Sequence, residues 1–407
     1  MNTLPTLNDV CEFIVDCLHA TAPTQDEGYP LIRTPNIGKG RLNLDGVYRV
    51  SEDTYEKWTQ RAVPEENDLI LAREAPAGNV AIVRNGHQVC LGQRTVHLRP
   101  DPEQVDSAFL CYYLLAPQQQ GALLAGETGA TSQHVNMKDI RRLPLKELPK
   151  LCAQEAIGRV ISAYDDLIEN NRRRIQLLEQ SARLLYKEWF VHLRFPGHEH
   201  VKTKDGVPEG WVKSTIADIC ASFDDGDWIE SEDQGGEDYR LLQISNIGDN
   251  DFVETGNFRF ITAETFRRLR CNEVVPGDIL ISRMPKPIGR AWYVQEIPWR
   301  MVTAVDVTIA RPNSDVVDPL YFLYHINSPN HIALCELRAT GATRPRISRK
   351  NMGALPILVP PLSLQNSFSE TASTINSMRH TLSRQSDSLV RARDVLLPRL
   401  MNGEIAV

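Results

Sequence analysis

The chain has 407 residues, of which 42 % are apolar and 24 % are charged, and its net charge is −7. This size allows two or three globular domains, and the absence of any run of 18 apolar residues argues against membrane insertion. The acidic balance gives no hint of nucleic acid as a partner, so such a function has to rest on local basic patches or on basic partner proteins.

The first part of the chain, residues 1–150, predicts a globular module of the α+β class. Short runs rich in branched apolar residues and bounded by Gly, Pro, Asn or Asp predict strands, as in LILAREAP at 69–76 and NVAIVRN at 79–85. The segment DSAFLCYYLLAPQQQGALL at 106–124 predicts helical structure that a proline interrupts.

Residues 151–194 predict a long central helix. Apolar residues follow one another at alternating steps of four and three, which is the heptad period of a coiled-coil seam. One seam position per heptad is occupied by Ile157, Tyr164, Asn171, Leu178 and Leu185. The heptad run itself spans 154–190, which at about 1.5 Å per residue is on the order of 55 Å long. A helix of this length predicts a spacer that needs a partner helix. The alternative is a long core-facing helix inside one compact domain.

The chain then repeats itself after a linker at 195–210 that is rich in Pro, Gly and charge. YPLIRTPNIG at 29–38 matches YRLLQISNIG at 239–248, 210 positions later. Two further pairs keep the same order and spacing: VPEENDLILAR (63–73) with VVPGDILISR (274–283), and GATSQHVNMKDIRRLPL (129–145) with GATRPRISRKNMGALPI (341–357). The sequence therefore predicts an internal duplication, with a second α+β module at 211–361.

The second copy also ends in a heptad helix, at 362–407. Its seam positions are Phe368, Ile375, Leu382, Leu389 and Leu396, with Met378 and Ala392 at intervening seam positions. Further strands of the second module are predicted at DILISR (278–283), RAWYVQ (290–295) and VDVTIAR (305–311). Each half is thus predicted to be a module followed by a long helix.

The spacings that catalysis on nucleotides or nucleic acid requires are missing. The sequence has neither GxxxxGK[ST] nor GxGxxG, no Glu two positions before a Lys, and no Asn-Pro-Pro-aromatic step. The eight cysteines are scattered and the histidines are isolated, which supports neither a zinc site nor a disulfide framework. We expect a chain that catalyses nothing, holds no metal and works in a reducing cytoplasm.

Polar and basic residues are concentrated at matched places in the two copies. They flank the Asn-Ile-Gly turns, the Pro-containing loops REAPAG and RMPKPIGR, and the Gly-Ala-Thr loops, and their side chains are of the kinds that read base edges and bind phosphates. Solvated turns are the alternative interpretation. The candidate DNA-binding residues are Arg33, Asn36, Lys39, Arg41, Arg73, Thr131, Gln133 and His134 in the first copy, and Gln243, Ser245, Asn246, Arg283, Lys286, Arg290, Thr343, Arg344 and Arg346 in the second.

On these features the chain resembles the specificity subunits of type I restriction-modification enzymes. The resemblance rests on two divergent modules that each run into a long helix, on PPLSLQ at 360–365, and on LLPRLMNGEI at 396–405. It covers nearly the whole chain. The first copy departs from the pattern, because KELPKLCAQ at 146–154 stands where the second copy has VPPLSLQ.

The resemblance implies a non-catalytic adaptor with two tandem target recognition domains, each reading one half of a bipartite site on double-stranded DNA. The two helices are then expected to pack as an antiparallel coiled coil that sets the gap, with Asn171 fixing the register. Arg172, Arg173 and Arg174 and the apolar edge near Trp189 and Phe190 are candidate partner contacts.

The partners implied are two methyltransferase subunits that carry S-adenosylmethionine, and further two motor-nuclease subunits that use ATP and Mg. No cofactor is expected on this chain. Two other classes stay open on the sequence alone: a protein-only scaffold with two binding modules on a coiled-coil rod, and a divergent nuclease or methyltransferase. Salt-dependent binding of duplex DNA distinguishes the adaptor from the scaffold.

Overall fold

The computed structural model describes residues 4–125, 134–146 and 148–405. The chain divides into two compact units, the first formed by Met1–Arg173 with Leu382–Val407 and the second by Arg174–Thr381. Each unit contains one α+β module and a part of both long helices. Over the described ranges, no helix has the length and apolar character needed to cross a membrane. The domain boundaries derived from the sequence stay a prediction.

The first unit is built around one five-stranded sheet. The strands of the first unit, in this sheet and in a smaller one, are β1 Cys11–Asp16, β2 Tyr29–Ile32, β3 Gly40–Arg41, β4 Arg49–Val50, β5 Leu69–Ala72, β6 Val80–Ile82, β7 Cys90–Leu91 and β8 Thr95–Pro100. Its helices are α1 Glu52–Trp58, α2 Ser107–Leu115, α3 Pro117–Leu124, α4 Met137–Arg141 and α5 Leu151–Tyr186, of which the last continues into the second unit. The main sheet has the order β1-β8-β5-β6-β3, and a small sheet has the order β4-β2-β7.

The second unit repeats this plan. Its strands are β9 Thr203–Lys204, β10 Val207–Pro208, β11 Val212–Thr215, β12 Cys220–Asp225, β13 Tyr239–Leu242, β14 Phe260–Ile261, β15 Ile279–Ser282, β16 Ala291–Tyr293, β17 Met301–Thr303, β18 Val307–Pro312 and β19 Pro356–Val359. Its helices are α6 Ala263–Leu269, α7 Pro319–Ile326, α8 Pro329–Leu337, α9 Arg349–Gly353 and α10 Leu362–Met401, which ends in the first unit. The order β12-β18-β15-β16 matches β1-β8-β5-β6, and the small sheet β14-β13-β17 matches β4-β2-β7. The edge strand β3 of the first unit has no counterpart in the four-stranded sheet of the second. The predicted strands and the α+β class are confirmed.

The central strands explain why the sheets form where the apolar runs predict them. Side chains alternate between the two faces of a strand, so a strand buried on both faces has no polar position. In β5, Leu69 and Leu71 lie in the core that α2 covers, whereas Ile70 and Ala72 lie in a separate core on the other face. Every residue of β5 and of its counterpart β15 is buried.

Local irregularities are duplicated as well. The pairing of β1 with β8 shifts by one residue between Cys11 and Phe13, and the pairing of β12 with β18 shifts in the same way between Cys220 and Ser222. Such β-bulges re-aim the strand that carries them and are specified features of a fold. Their recurrence supports the duplication that the sequence predicts.

The junction between module and helix is equivalent in the two copies, although the sequences differ there. Gln154 donates from Nε2 to the Pro149 carbonyl (2.8 Å) and accepts from the Asp106 backbone N–H (3.0 Å). Gln365 makes the matched bonds to Pro360 (2.7 Å) and Asp318 (2.8 Å). The segment KELPKLCAQ therefore fulfils the same structural role as VPPLSLQ, because the glutamine and the proline are retained.

Within each unit, the two long helices bury their seam residues. All ten predicted seam residues are buried or half-buried, but Met378 is 52 % exposed, so its assignment to the seam is wrong. In the first unit, Leu400 of α10 shares a core with Ile157 and Ile161 of α5. Hence late residues of α10 meet early residues of α5 in this unit.

In the second unit, Tyr186 at the end of α5 and the π-helical turn Lys187–Val191 that follows it contact the start of α10. The ring of Phe368 lies 5.2 Å from that of Phe190 and 6.0 Å from that of Tyr186. Phe190 is only 8 % exposed and belongs to this core. The expectation that Phe190 offers a partner contact is therefore wrong for the chain as described, because intramolecular packing already covers the ring.

Candidate nucleic-acid interface

The predicted recognition segments of the second unit gather at one end of its main sheet. Antiparallel pairing places the end of β12 and the end of β15 beside the start of β18, through the pairs Asp225 with Thr308 and Ser282 with Val307. The loop 283–290 leaves the sheet at this end. The backbone N–H of Ile347 donates to the Arg283 carbonyl (3.2 Å), which ties the segment after the Gly-Ala-Thr loop to the same place.

The side chain of Arg290 connects the Asn-Ile-Gly turn of the second unit to the loop 283–290 by hydrogen bonds to their backbone carbonyls. Its guanidinium donates to the carbonyls of Ile247 (2.7 Å), Ile244 (3.2 Å) and Pro285 (2.8 Å). A single side chain thus fixes the Asn-Ile-Gly turn against the loop 283–290. Burial lowers the pKa of Arg290, and three of its donors are already satisfied by backbone oxygens. This placement favours a structural role over direct contact with bases.

Arg283 is the centre of a buried ionic cluster at the same sheet end. Its side chain is 4 % exposed, lies 3.1 Å from Asp225 and 3.6 Å from Asp306, and donates to the Val305 carbonyl (2.5 Å). Arg346 binds Asp306 as well, at 2.7 Å. Buried charges are retained only when they are paired and hydrogen-bonded. The cluster therefore holds the strand ends in place, and Arg346 remains half-buried at its edge.

The first unit has the same architecture with other side chains. Arg73 follows β5, donates from Nε to the Val135 carbonyl (2.9 Å) and from Nη2 to His134 Nε2 (2.8 Å). His134 Nδ1 in turn bonds Glu74 Oε1 at 2.6 Å. Asn79, at the position of Arg290, donates to the Ile37 carbonyl (2.9 Å). Thr131 and Gln133 lie outside the described residues.

The asparagines of the two Asn-Ile-Gly turns stabilise the turns themselves. Asn36 Oδ1 accepts from the Arg33 backbone N–H (3.0 Å), and Asn246 Oδ1 accepts from that of Gln243 (2.8 Å). Asn246 Nδ2 also donates to the Val253 carbonyl at 2.9 Å. Side-chain acceptors of this kind replace a backbone partner in tight turns. Both asparagines therefore have an intramolecular function, whatever else they contact.

Exposure sorts the candidate residues into three groups. The buried ones are Arg73, Asn246 and Arg283. The half-buried ones are Asn36, Arg41, His134, Gln243, Arg290 and Arg346. The exposed ones are Arg33, Lys39, Ser245, Lys286, Thr343 and Arg344. The last group is the one whose side chains are free to meet a macromolecule, and DNA contact by any of these residues stays a prediction.

Several exposed cations are not neutralised by the chain. Among the described residues, Arg344, Lys350 and Lys39 form no ion pair. Lys286 binds Glu336 at 3.0 Å, and the Arg33 guanidinium lies 4.2 Å from the centre of the Tyr48 ring. The acidic net charge of the chain thus coexists with local positive charge on the loops that leave the sheet ends.

Three residues near these loops were missed by reasoning from sequence. Arg84 and His87 follow β6 in the turn RNGH and face the Asn-Ile-Gly turn of the first unit, and Trp228 follows β12 and is 68 % exposed. The parallel pairing of β3 with β6 brings the first two beside Arg41. A basic residue and a histidine in a turn are too common to signal a site on their own.

Comparison with known proteins identifies the chain. The family model for the type I restriction modification DNA specificity domain matches residues 4–180 and again residues 208–386. The chain belongs to this family. The two matches fall on the two copies, and the specificity subunits of type I systems are non-catalytic members of their complexes. The resemblance stated from the sequence motifs is thereby confirmed.

Named relatives cover most of the specificity chain. The type I restriction enzyme MjaIX specificity subunit of Methanocaldococcus jannaschii is 24 % identical over 375 residues, which is 89 % of this chain and 83 % of the relative. The putative MjaX specificity subunit of the same organism is 22 % identical over 412 residues, covering 98 % and 93 %. The crystal structure of the type I restriction-modification S subunit from M. genitalium superposes with a TM-score of 0.60 at 17 % identity, covering 98 % of this chain and 97 % of that one. The last similarity is one of fold.

Proposed function

We propose that each unit of this specificity subunit reads one half of a bipartite site on double-stranded DNA, through the loops at the end of its main sheet. The observation that carries the proposal is that the two units share equivalent internal hydrogen bonds but differ in the residues on their loop surfaces. Equivalent internal struts hold the loops in both units, while the residues that differ between them include Arg33 against Gln243 and His134 against Arg346. Two different half-sites are the expected consequence.

The first test concerns Arg344, which is exposed and unpaired on the Gly-Ala-Thr loop of the second unit. In the complex with its methyltransferase, Arg344→Gln is expected to weaken DNA binding roughly 10-fold, since one charged contact is lost. Mapping of methylated adenines should show altered preference in one half-site only. Lys213→Gln, an exposed charge on β11, is the matched control and should behave like wild type. Equal affinity of the Arg344 variant and wild type over a range of salt concentrations would contradict the proposal.

The long helices are the proposed spacer, packed antiparallel as a coiled coil. In the first unit, Leu400 of α10 shares a core with the start of α5, and in the second unit Phe368 contacts Tyr186 at the end of α5. Both contacts support this packing. Asn171, a seam residue that is 7 % exposed, is proposed to fix the register. We further propose that the complex contains two methyltransferase subunits with S-adenosylmethionine, joined by two motor-nuclease subunits with ATP and Mg, and works in the cytoplasm.

Exposed apolar residues on α5 support a partner on the helices. Leu177 and Leu184, one heptad apart on α5, are 61 % and 59 % exposed. Residues seven positions apart lie on one face of a helix. Such a stripe fits the docking of a methyltransferase subunit. It fits a protein-only scaffold as well, and the DNA-binding experiment on Arg344 separates the two functions.

A second test addresses the spacer. Duplicating one heptad in each helix, residues 172–178 and 383–389, adds about 10 Å to the helix pair, because each residue contributes about 1.5 Å. The gap between the half-sites is expected to grow by about three base pairs at roughly 3.4 Å each, with both half-site sequences unchanged. Methylation mapping measures the gap directly. Seven Gly and Ser residues inserted into the linker 195–210 serve as the control and should leave the gap as it is. If the duplicated heptads also leave the gap unchanged, the helices are not the spacer.

A further inference from the structure

The first unit contains a cleft whose lining has more basic than acidic residues. It has a volume of about 440 Å³ and is bounded by the segment after the Asn-Ile-Gly turn, by the turn that follows β6, and by α5. Its basic residues are Lys39, Arg41, Arg84, Arg172 and Arg173, and its only histidine is His87. The acidic residues on its lining are Asp45 and Glu169.

Most of the carboxylates are already used by two of the arginines. Arg172 binds Asp45 at 2.5 Å and Glu169 at 2.9 Å, and Arg173 binds Glu169 at 3.0 Å. Asp166 lies just outside the lining and pairs with Arg41. The charge of the neighbouring Asp165 also acts on Arg41, but this carboxylate is already bound by Arg393. Arg84 lies 3.9 Å from the same oxygen of Asp166. Two guanidinium groups thus share one carboxylate.

Polar atoms of this group lack partners. Arg41 Nε, Arg84 Nε and Nη2, and His87 Nδ1 are all shielded from solvent and make no hydrogen bond. Buried polar atoms are nearly always satisfied, so a cluster of unsatisfied nitrogens around one cavity indicates a missing acceptor. Burial is the largest cause that lowers the pKa of Arg41 and that of His87, and the charge of Arg84 lowers both further.

The second unit has the opposite charges at the matched positions. Asp249 and Asp251 stand where the first unit has Lys39 and Arg41. They bind Arg183 (2.7 Å) and Arg379 (2.6 Å), so the corresponding corner is neutralised by the chain itself. The second unit therefore shows that the segment after the Asn-Ile-Gly turn can contact the long helices through paired opposite charges, without an excess of positive charge. The excess of positive charge in the first unit is a feature of that copy alone.

We propose that the cleft lined by Lys39, Arg41, Arg84 and His87 binds a phosphate group, and that in the DNA complex this group is one backbone phosphate beside the half-site of the first unit. A phosphate is acceptor-only and anionic, and paired guanidinium groups are the side chains that bind it most specifically. The assignment to DNA rests on the proposed function of the unit. Free phosphate is the other possible source of the same chemistry.

The test uses the purified full chain and inorganic phosphate as the probe. Isothermal titration at low ionic strength should give saturable binding of one phosphate per chain, and Arg84→Gln should weaken it at least 10-fold while the Arg41 pair with Asp166 is kept. Lys39→Gln, a change at an exposed position, is the second variant and should weaken binding as well. Arg159→Gln, on an exposed part of α5 outside the cleft, should have no effect. Unchanged phosphate binding in both cleft variants would refute the site.

Measurements of DNA binding distinguish a backbone phosphate of DNA from free phosphate as the ligand of the cleft. With the methyltransferase complex, Arg84→Gln is expected to reduce the slope of log affinity against log salt by about 1 and to weaken all sequences alike, because a phosphate contact carries no sequence information. An unchanged slope together with lost binding of inorganic phosphate would overturn the assignment to DNA and leave a site for free phosphate. If the wild-type complex bound no duplex DNA at all, the proposed function would fail, whereas the titration with phosphate would still decide the site.

Discussion

Replacing Arg393 with methionine is expected to destabilise the first unit by about 3–5 kcal/mol, the usual result of removing one partner from a buried ion pair. Asp165 of α5 is 4 % exposed and accepts hydrogen bonds from Arg393 Nη1 (2.6 Å) and Tyr112 Oη (2.6 Å). Without the guanidinium, a buried carboxylate remains with one hydroxyl donor. Urea denaturation measures the loss, and hydrogen exchange assigns it to the first unit.

The second unit suggests a second substitution that should restore the stability lost in Arg393→Met. At the matched corner, Tyr324 Oη donates to Asn376 Oδ1 (3.3 Å), and Ala182 stands at the position of Arg393. Adding Asp165→Asn to Arg393→Met replaces the buried carboxylate by the amide that the second unit has here, where Asn376 Oδ1 also accepts from Arg379 Nη1 (3.4 Å). Because no unpaired buried charge remains, the double variant should recover most of the lost stability. The double-mutant cycle then gives the coupling of the pair. A single Arg393→Met variant as stable as wild type would show that solvent already satisfies Asp165.

The large-scale architecture could be predicted because it depends on patterns that are local or repeated. Strands such as β5 are uninterrupted apolar runs, the seam of α5 keeps the heptad period, and the duplication is visible in the Asn-Ile-Gly frames. Met378 was misplaced because a heptad pattern predicts a helix face from spacing alone. A 3.6-residue helix drifts from that pattern, and the partner surface decides which positions it covers.

The chemistry of the candidate site could be predicted only in part. The sequence places arginines in these loops, but it does not distinguish an arginine that bonds other parts of the chain from one that is free to contact DNA. Arg290 and Arg283 are internal because distant segments of the chain supply acceptors: the Val305 carbonyl is 22 residues from Arg283, and the Ile247 and Ile244 carbonyls are 43 and 46 residues from Arg290. The cleft around Arg84 was missed for the same reason, since it depends on the pairing of β6 with β3. Long-range pairing has no local signature.

Acid is expected to weaken the second unit through two histidines that the first unit lacks. His331 is 1 % exposed, and the ring of the partly buried His325 lies 5.4 Å from it. Burial lowers the pKa of His325 to about 4 and holds that of His331 well below its usual value. In the first unit the matched residues are Tyr113 and Gln119, joined by a hydrogen bond of 2.7 Å.

The direction of the effect follows from proton linkage. Between pH 6.5 and 4 the unfolded chain binds protons at these histidines and the folded chain does not, so their contribution to stability is complete above pH 6.5 and is lost as the pH falls. His325 alone accounts for about 2–3 kcal/mol of this loss. Asp227 titrates in the same range with the opposite sign, because burial raises its pKa to about 6. The informative quantity is therefore a difference between variants.

The double variant His325→Gln with His331→Gln keeps neutral polar side chains at both positions. Relative to it, the wild type should lose more unfolding free energy in the second unit between pH 7 and pH 4 than the about 2–3 kcal/mol that His325 alone accounts for, because His331 adds a loss of the same sign. The contribution of Asp227 is common to both proteins and cancels. Urea denaturation at a series of pH values, with hydrogen exchange to separate the units, measures the two curves. His200→Gln, at a side chain that is 84 % exposed, is the control and should run parallel to wild type. Parallel curves for the double variant as well would mean that water reaches both imidazoles, and the contrast with Tyr113 and Gln119 would then have no consequence for acid stability.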